Sequence, residues 1–308
     1  MQSLMETGTQ FFKCLHCGGA RVVPFETHWS CGNCGRSYAA EQGIPILVRD
    51  WQRHEEELNL ARAVKPGWYV EEQPLELASP WRHHLKKRRL YVEFAITRYL
   101  LSKGESRVRT LLDLGCGDGN HLAYLQTYTS ILFGSDYNLV RLARSRIRHP
   151  DAILFLADIL DYPAQDNFFD IIFFNHVLEH VPDNGKALET ILRILKPMGL
   201  LVLGTPNEGV WWWQLAYRLQ PQTLHTTDHV HFYTAELLTE KLKAHGFDIT
   251  EVKHIGWGPP HWGCDARIRK YKWVDDSFEL AGKILFPRQA SSLYILATKP
   301  GSQQAGPV

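Results

Sequence analysis

The sequence predicts an α/β fold: a doubly wound, mostly parallel sheet filling the larger C-terminal part, with a small metal-stapled module in front. Three observations carry that expectation. Two Cys-x-x-Cys pairs, "CLHC" at 14–17 and "CGNC" at 31–34, stand near the start. A glycine-rich turn, "LDLGCGDG", runs from Leu112 to Gly119. From there onward, short continuous apolar runs alternate with helical patterns, as they do in a parallel sheet covered by helices on both faces.

Composition narrows the class. A chain of 308 residues allows one large domain and a small one. Apolar residues make up 44%, so a packed core is expected rather than disorder. The formal net charge is +1, which gives the molecule as a whole no field that would gather nucleic acid or an acidic surface. No basic N-terminal stretch leads into an apolar run, and the longest apolar runs are too short to span a bilayer. A soluble, cytoplasmic protein is therefore expected. Six cysteines in a chain of this length do not read as a secreted disulfide framework.

The first module spans residues 1–50. Each Cys-x-x-Cys pair can fold as a knuckle that presents two thiolates to one ion, so Cys14, Cys17, Cys31 and Cys34 make a tetrahedral site for Zn²⁺. Four thiolates leave no open coordination position, which makes the metal structural rather than catalytic. Between the pairs "RVVPFETHWS" reads as a hairpin, and "GRSYAAEQGIPILV" adds a strand, a turn and a further apolar run. The redox alternative needs one pair at a strand-to-helix junction, which two glycine-rich pairs fit poorly. This stretch resembles the small zinc ribbon that serves as an activator subunit of tRNA and protein methyltransferases and is fused to many bacterial methyltransferases. The resemblance rests on the four cysteines, Tyr38 and "GIPIL" at 43–47, and covers about residues 11–50.

Residues 51–107 read as a helical connector that could serve as a lid. "DWQRHEEELNLARAV" suits a helix that Pro66-Gly67 breaks, and Trp68 and Tyr69 follow. In "WRHHLKKRRLYVEFAITRYLL" an apolar face is expected from Leu85, Leu90, Phe94, Ile96, Leu100 and Leu101. Residues 82–109 carry nine Lys/Arg against two Glu. Such a run can contact RNA, but a solvated helix face is the preferred reading.

The main domain, 108–308, opens with Leu111, Leu112 and Leu114 as a buried strand. The chain then turns through Gly115, Gly117 and Gly119 and enters a helix near Asn120. The loop is G-x-G-x-G rather than the G-x-G-x-x-G of dinucleotide sites, and Asp113 at its mouth suits a cationic ligand better than a phosphate. "ILFGSD" is a second strand whose terminal Asp136 stands where a carboxylate can accept both hydroxyls of a ribose. "NLVRLARSRI" reads as a helix, "AILFLAD" as a strand ending in Asp158, and "FFDIIFFNHVLEHV" as a fourth strand and loop. "NGKALETILRIL" is a helix closed by "KPMG", "LLVLGTPN" a fifth strand, "SFELAGKILF" a helix and "SLYILATK" a last strand. Insertions fall near 206–233 and 256–291.

These blocks together resemble the class I S-adenosylmethionine-dependent methyltransferases. The resemblance is carried by "LDLGCGDG", Asp136, "AD" at 157–158, "HVLEHVPD" and "LKPMGLL", and covers about residues 108–300. It implies a Rossmann-like, seven-stranded sheet, an enzyme, and S-adenosylmethionine as the methyl donor. By the same resemblance the loop from Asp113 through Gly115, Cys116, Gly117 and Gly119 holds the methionine part of the donor, with Cys116 as a small packed residue. Asp136 and Tyr137 would serve the ribose, and Asp158, beside Ile159, the adenine amino group. Asn175 and His176 would line the donor at the end of the fourth strand.

Methyl transfer to a hydroxyl or amine needs a positioned acceptor and a base. Three stretches are candidates. In "HVLEHV" the residues are His176, Glu179 and His180. A similar cluster carries magnesium in ubiquinone-pathway O-methyltransferases, but an imidazole at 176 disfavours a hard ion, and His180 is expected as part of the acceptor wall. In "TTDHVHFYT" at 226–234, strand alternation would place His229 and His231 on one face, with His229 as the general base. The insertion "EGVWWWQLAYRLQPQTLH" offers Trp211, Trp212, Trp213 and Tyr217 as an aromatic wall. Trp212, Tyr217 and Tyr69 are expected to touch the acceptor, and "GWGPPHWG" at 256–263 to add a lid. The favoured acceptor is a hydroxyl of a small or lipid-like molecule, since no "NPPY"-type motif for flipped bases is present. The runner-up is an rRNA or tRNA methyltransferase using the ribbon, the basic helix, Arg141, Arg144, Arg146 and Arg148. A ribosomal guanine methyltransferase group also carries such a ribbon, ending in His where this chain has Cys. A third class is a non-catalytic scaffold that binds the donor.

Overall fold

The computed structural model describes residues 11–25, 27–221, 228–258 and 262–301. Thr226 and Thr227 of the histidine segment and residues 259–261 of "GWGPPHWG" lie outside the described residues, as do the side chains of Trp68 and Trp262. Eleven strands form among the described residues, and the chain divides into two compact units.

The first unit comprises residues 1–73, 104–173 and 189–199. Its N-terminal strands β1 (Val22–Pro24), β2 (His28–Cys31), β3 (Ser37–Glu41) and β4 (Ile44–Leu47) form an antiparallel meander. The parallel strands are β5 (Val108–Leu114), β6 (Thr129–Asp136) and β7 (Ile153–Ala157), and β8 (Phe169–Asn175) begins in this unit. The strand order is β1-β2-β3-β4-β7-β6-β5-β8. β4 pairs parallel with β7 through Ile46–Leu156 and Leu47–Ala157, so the cysteine module is stitched into the edge of the main sheet. The sequence explains the seam: all four residues of β4 are buried, as a strand flanked on both sides requires.

Aromatic packing locks the same joint. Phe11 is fully buried, with its ring 4.8–5.4 Å from those of Phe133, Phe155, Phe168 and Phe169. Phe12 lies edge-on to Trp29 at 5.2 Å and to Phe155 at 5.1 Å. Backbone bonds fix the approach, from Lys13 N to Pro163 O and from Gln165 N to Phe11 O. Helix α1 (Trp51–Val64) starts at Asp50, whose carboxylate accepts from Arg53 N at 3.1 Å, and stops before Pro66.

The second unit comprises residues 74–103, 174–188 and 200–308. Its strands run β9-β11-β10, all antiparallel: β9 (Leu195–Pro206, the part from residue 200), β11 (Ser292–Thr298) and β10 (Asp248–Ile255). Helix α2 (Arg82–Lys103) corrects the expected apolar face. Tyr91, Val92, Ala95, Ile96 and Leu100 are buried, whereas Leu90, Phe94 and Leu101 are exposed. At 100° per residue the stripe through 92, 96 and 100 excludes 90, 94 and 101, so geometry overrode side-chain type. The basic run is also neither a solvated face nor an RNA face throughout. Lys87 Nζ lies 2.6 Å from Asp275 Oδ2, Arg89 Nε 2.9 Å from Glu76 Oε2, and Arg98 pairs with Glu251. The expected strand over residues 228–234 does not form; these residues run as irregular chain before Thr234 caps the next helix. No helix among the described residues is long and apolar enough to cross a membrane.

Candidate functional site

In the first unit, the turns after β5, β6 and β7 carry the predicted donor residues. Gly115, Gly117 and Gly119 have φ of 82°, 52° and 80°, a region costly for any residue with a Cβ. Added bulk would also collide. A Cβ at Gly117 would lie 2.7 Å from Arg141 Nη2, and one at Gly119 2.5 Å from Ser145 Oγ, both on helix α3 (Leu139–Arg148). Gly117 N donates to Asp136 Oδ2 at 2.8 Å and Asn138 N to Oδ1 at 2.9 Å, so the carboxylate ties the glycine loop to the end of β6. Cys116 is buried beneath the loop, as expected for a packed thiol.

Asp113 and Asp136 are both buried, and burial pushes both carboxyls up. For Asp136 the Arg141 guanidinium and the two backbone N–H groups oppose the rise. Asp113 has no such relief, and its Oδ2 has no hydrogen-bond partner. A buried carboxyl without a cation fits the electron-poor side of a sulfonium or ammonium ligand.

Asp118 was not anticipated from the sequence. Its buried carboxylate takes Arg141 Nε at 3.5 Å and Arg144 Nη1 at 3.4 Å on one oxygen, and Gln73 N at 2.8 Å on the other. That last bond brings the connector onto the glycine loop. Further along, His54 Nε2 lies 2.7 Å from Tyr137 O, the Tyr69 carbonyl accepts from Asn138 Nδ2 at 2.7 Å, and Arg148 pairs with Glu72. The Tyr69 ring stands edge-on to that of Tyr137 at 6.2 Å. Asp158 Oδ1 accepts from Leu160 N at 2.9 Å and caps the short turn that begins at the half-buried Ile159. Asp161, in that turn, pairs with Arg49 from the end of the cysteine module. The arginines of α3 are thus engaged within the unit: Arg141 and Arg144 on Asp118, Arg146 on the carbonyls of Pro150 and Ala152, Arg148 on Asn120 and Glu72.

The four thiols meet as predicted. Cys14 Sγ lies 3.8 Å from Cys34 Sγ and Cys17 Sγ 3.6 Å from Cys31 Sγ, and all four sulfurs are within 4.8 Å of one another. A tetrahedron with arms of about 2.3 Å has edges of about 3.8 Å, so the spacing fits four thiolates around one ion and is far too long for disulfides. Gly19 N and Asn33 N each point at a sulfur, and Tyr38 OH lies 3.2 Å from Cys14 Sγ.

The second unit gathers histidines and carboxylates. His176 follows Asn175 at the end of β8 with φ of 55°, held by its N–H bond to Gly204 O at 2.8 Å. Its Nδ1 is 3.2 Å from Glu179 Oε1, and burial, aided by Arg88, lowers its pKa to about 4, so the ring is neutral at pH 7. Glu179 is buried, and its main-chain carbonyl accepts from Val230 N and His231 N. Those bonds pin the histidine segment. His229 Nδ1 lies 3.6 Å from Glu208 Oε1, while Tyr217, on helix α4 (Trp211–Leu219), donates from its OH to Glu208 Oε2 at 2.8 Å. Burial depresses the His229 pKa, but Glu208, Glu179 and Asp228 more than offset it, and the net shift is upward. His180 sits beside His229, rings 5.0 Å apart, with Nδ1 3.4 Å from Asp228 Oδ1.

His231 and His229 have different neighbours. His231 Nε2 lies 3.0 Å from the Pro182 carbonyl and fastens the loop after Glu179. Glu179, His180 and His229 offer ligand-type atoms within 4.8 Å of one another, a set that includes His229 in place of the expected His176. Trp212 is half-buried against Trp211, and Trp213 stacks on Tyr217 at 6.4 Å, so the aromatic run packs largely on itself. Glu208 was missed: it lies in "TPNEGV", where nothing local marks it.

Residues 81–252 match the family model described as "Methyltransferase domain". A probable S-adenosylmethionine-dependent methyltransferase of Mycolicibacterium smegmatis is 25% identical over 159 residues, 52% of this chain and 60% of that protein. The chain therefore spans less than two thirds of this relative. Trans-aconitate 2-methyltransferase of Variovorax paradoxus is 34% identical over 99 residues, 32% of this chain and 38% of that one. Among solved structures, the complex of the Trm112 methyltransferase activator of Haloferax volcanii with a methyltransferase aligns with a TM-score of 0.54 at 17% identity. That alignment covers 81% of this chain and 98% of the other, and speaks to fold alone.

Proposed function

This chain belongs to the methyltransferase-domain family, and from that premise we propose that it moves a methyl group from S-adenosylmethionine to a hydroxyl of a small or lipid-like acceptor. Bound S-adenosylmethionine supplies an electrophilic methyl carbon on a positively charged sulfur. The residues of the first unit hold it: the glycine loop gives close backbone approach, Asp113 offers an uncompensated carboxyl for the cationic part, and Asp136 with Tyr137 serves the ribose. Asp158 and Ile159 serve the adenine. Asn175, at the end of β8, and His176 after it are kept as donor residues on the family resemblance alone.

The proton is handled in the second unit. His229, whose Nδ1 faces the Glu208 carboxylate at 3.6 Å, would offer Nε2 as a base, and Tyr217 bonds Glu208 from the other side. His229 would take the acceptor's hydroxyl proton while the bound donor supplied the methyl group. The carrying observation is this arrangement: Glu208 accepts from Tyr217 and stands 3.6 Å from His229 Nδ1, as an ion-pair neighbour without a hydrogen bond. His180, Trp212 and Tyr217 contribute to the acceptor wall, and His231 positions the segment. The four cysteines hold one structural Zn²⁺. The RNA reading loses support because Lys87, Arg89, Arg141 and Arg144 have acidic partners inside their own units.

The test is transfer of labelled methyl from S-adenosylmethionine into cell extract fractionated into RNA, protein, lipid and small molecules. Label in the small-molecule or lipid fraction, lost with His229→Ala while S-adenosylhomocysteine still binds, is the expected result. Label confined to RNA would replace this acceptor class, and full turnover by His229→Ala would remove the base.

A further inference from the structure

Helix α5 (Lys272–Leu285) is built inside out. Two of its three acids face inward: Asp275 is 0% exposed and Glu279 9%. They are neutralised from neighbouring elements, with Lys87 Nζ 2.6 Å and Arg269 Nε 2.7 Å from the two Asp275 oxygens. Three large apolar residues face outward: Trp273 is 73% exposed, Leu280 64% and Ile284 69%, while Leu285 and Phe286 are exposed beyond them, off this line. Positions 273, 280 and 284 recur at helical spacing, so they form one stripe along one face. Single exposed apolar residues are ordinary, whereas a continuous row of large ones marks a contact surface.

The charge at the start of this stripe says what the contact is. An open hollow of about 470 Å³ is lined there by Arg82, His83, Lys270, Lys272, Tyr271 and Trp273, with Asp276 as its one acid. Asp276 is already paired with Lys272 and Lys87. Neither Arg82 nor Lys270 lies within salt-bridge distance of a carboxylate among the described residues, and the Lys270 ammonium rests over the Tyr271 ring at 5.0 Å. A row of exposed Trp, Leu and Ile beside such cations has the chemistry of a helix lying in a headgroup layer.

We propose that this face docks on a lipid bilayer bearing anionic headgroups. Trp273, Leu280 and Ile284 enter the boundary between headgroups and acyl chains, and Arg82 and Lys270 hold a headgroup phosphate in the hollow. The helix lies in the plane of the surface; it does not cross it. The proposal goes beyond the methyl-transfer reading and does not rest on which acceptor is used.

The test uses the full, zinc-loaded chain and sedimentation with vesicles of phosphatidylcholine alone or mixed equally with phosphatidylglycerol. Binding to the mixed vesicles at low salt, weakened as salt rises, is expected. The double variant Leu280→Glu with Ile284→Glu should bind at least about tenfold more weakly. Arg82→Glu with Lys270→Glu should abolish the preference for the anionic vesicles. All four side chains are exposed, so folding is checked by an unchanged thermal midpoint and unchanged S-adenosylhomocysteine affinity. Three results overturn the proposal: no binding to either vesicle, equal binding by the Leu280/Ile284 variant, or a dimeric wild type that this variant turns monomeric. The last would make the face a contact between two copies of the chain.

Discussion

At the scale of single residues, the proposed chemistry turns on the Glu208 carboxylate that stands 3.6 Å from His229 Nδ1. A raised His229 pKa means that its ring is protonated, and useless as a base, to a higher pH than an ordinary imidazole. Turnover should therefore rise with pH through that raised pKa and then level off. In Glu208→Gln the side-chain charge that favours the imidazolium is gone, so the inflection of kcat/KM should move to lower pH while the plateau falls. An unshifted inflection would separate His229 from the rate. The two members of this pair were unequally legible. His229 stands in a histidine-rich segment just before a capped helix, a pattern visible in one dimension. Glu208 is an isolated acid whose partners, Tyr217 and His229, are brought to it by helix α4 and by the main chain of Glu179. Asp118 is a similar case. It sits inside the recognised loop, yet its meaning comes from Gln73, Arg141 and Arg144, which lie 45, 23 and 26 residues away. Asp118→Asn should weaken S-adenosylhomocysteine binding about tenfold by calorimetry, since a charged bond worth about 1.5–3 kcal/mol holds the connector to the loop.

At the scale of elements, the strands of the main sheet were readable because a strand buried on both faces must be apolar along its length, and the runs of β6, β7 and β8 stop at Asp136, Asp158 and Asn175. Helix α2 was readable as a helix but not as a face. Its leucines and phenylalanine are scattered round the axis, and only packing selects the stripe through Val92, Ile96 and Leu100. The irregular chain over 228–234 shows the opposite failure. Its alternation of polar and apolar residues mimics a strand, but Glu179 O takes two consecutive N–H groups and holds the segment out of any ladder. The cysteine knuckles were legible from spacing alone. What spacing could not show is that their hairpins continue into β4, and β4 into the main sheet. Removing the metal with a strong chelator should lower the thermal midpoint and also weaken S-adenosylhomocysteine binding, because β4 pairs with β7 next to Asp158. A lowered midpoint with unchanged affinity would confine the metal to its own module.

At the scale of the whole molecule, the first fifty residues cannot be treated as a detachable accessory. Phe11 and Phe12 are fully buried among the aromatic side chains of β6, β7 and β8. Phe11→Ala should cost about 3–5 kcal/mol in denaturant unfolding, as large core truncations do. Deletion of residues 1–50 should yield insoluble protein rather than a trimmed enzyme; a soluble, cofactor-binding deletion would show that the sheet closes without its edge. Acid sensitivity also belongs to this scale. His176 and the buried His84 are held below the ordinary imidazole range in the folded chain, chiefly by burial. The unfolded chain takes up their protons first, so stability should fall as pH drops below about 6.5, towards the folded value of about 4 for His176. Thermal midpoints measured across that window check the sign.

The seam between β4 and β7 has a further consequence, for supply. A strand delivered by a separate subunit occupies its groove only as fast and as often as cellular concentrations allow. Here the strand is tethered to the groove it fills, at an effective concentration set by the chain itself. Occupancy is then the same in a dilute cell and a crowded one. The flank of β7 is never left open to stray strands during synthesis, and each catalytic domain is born with its own partner in a fixed ratio of one to one.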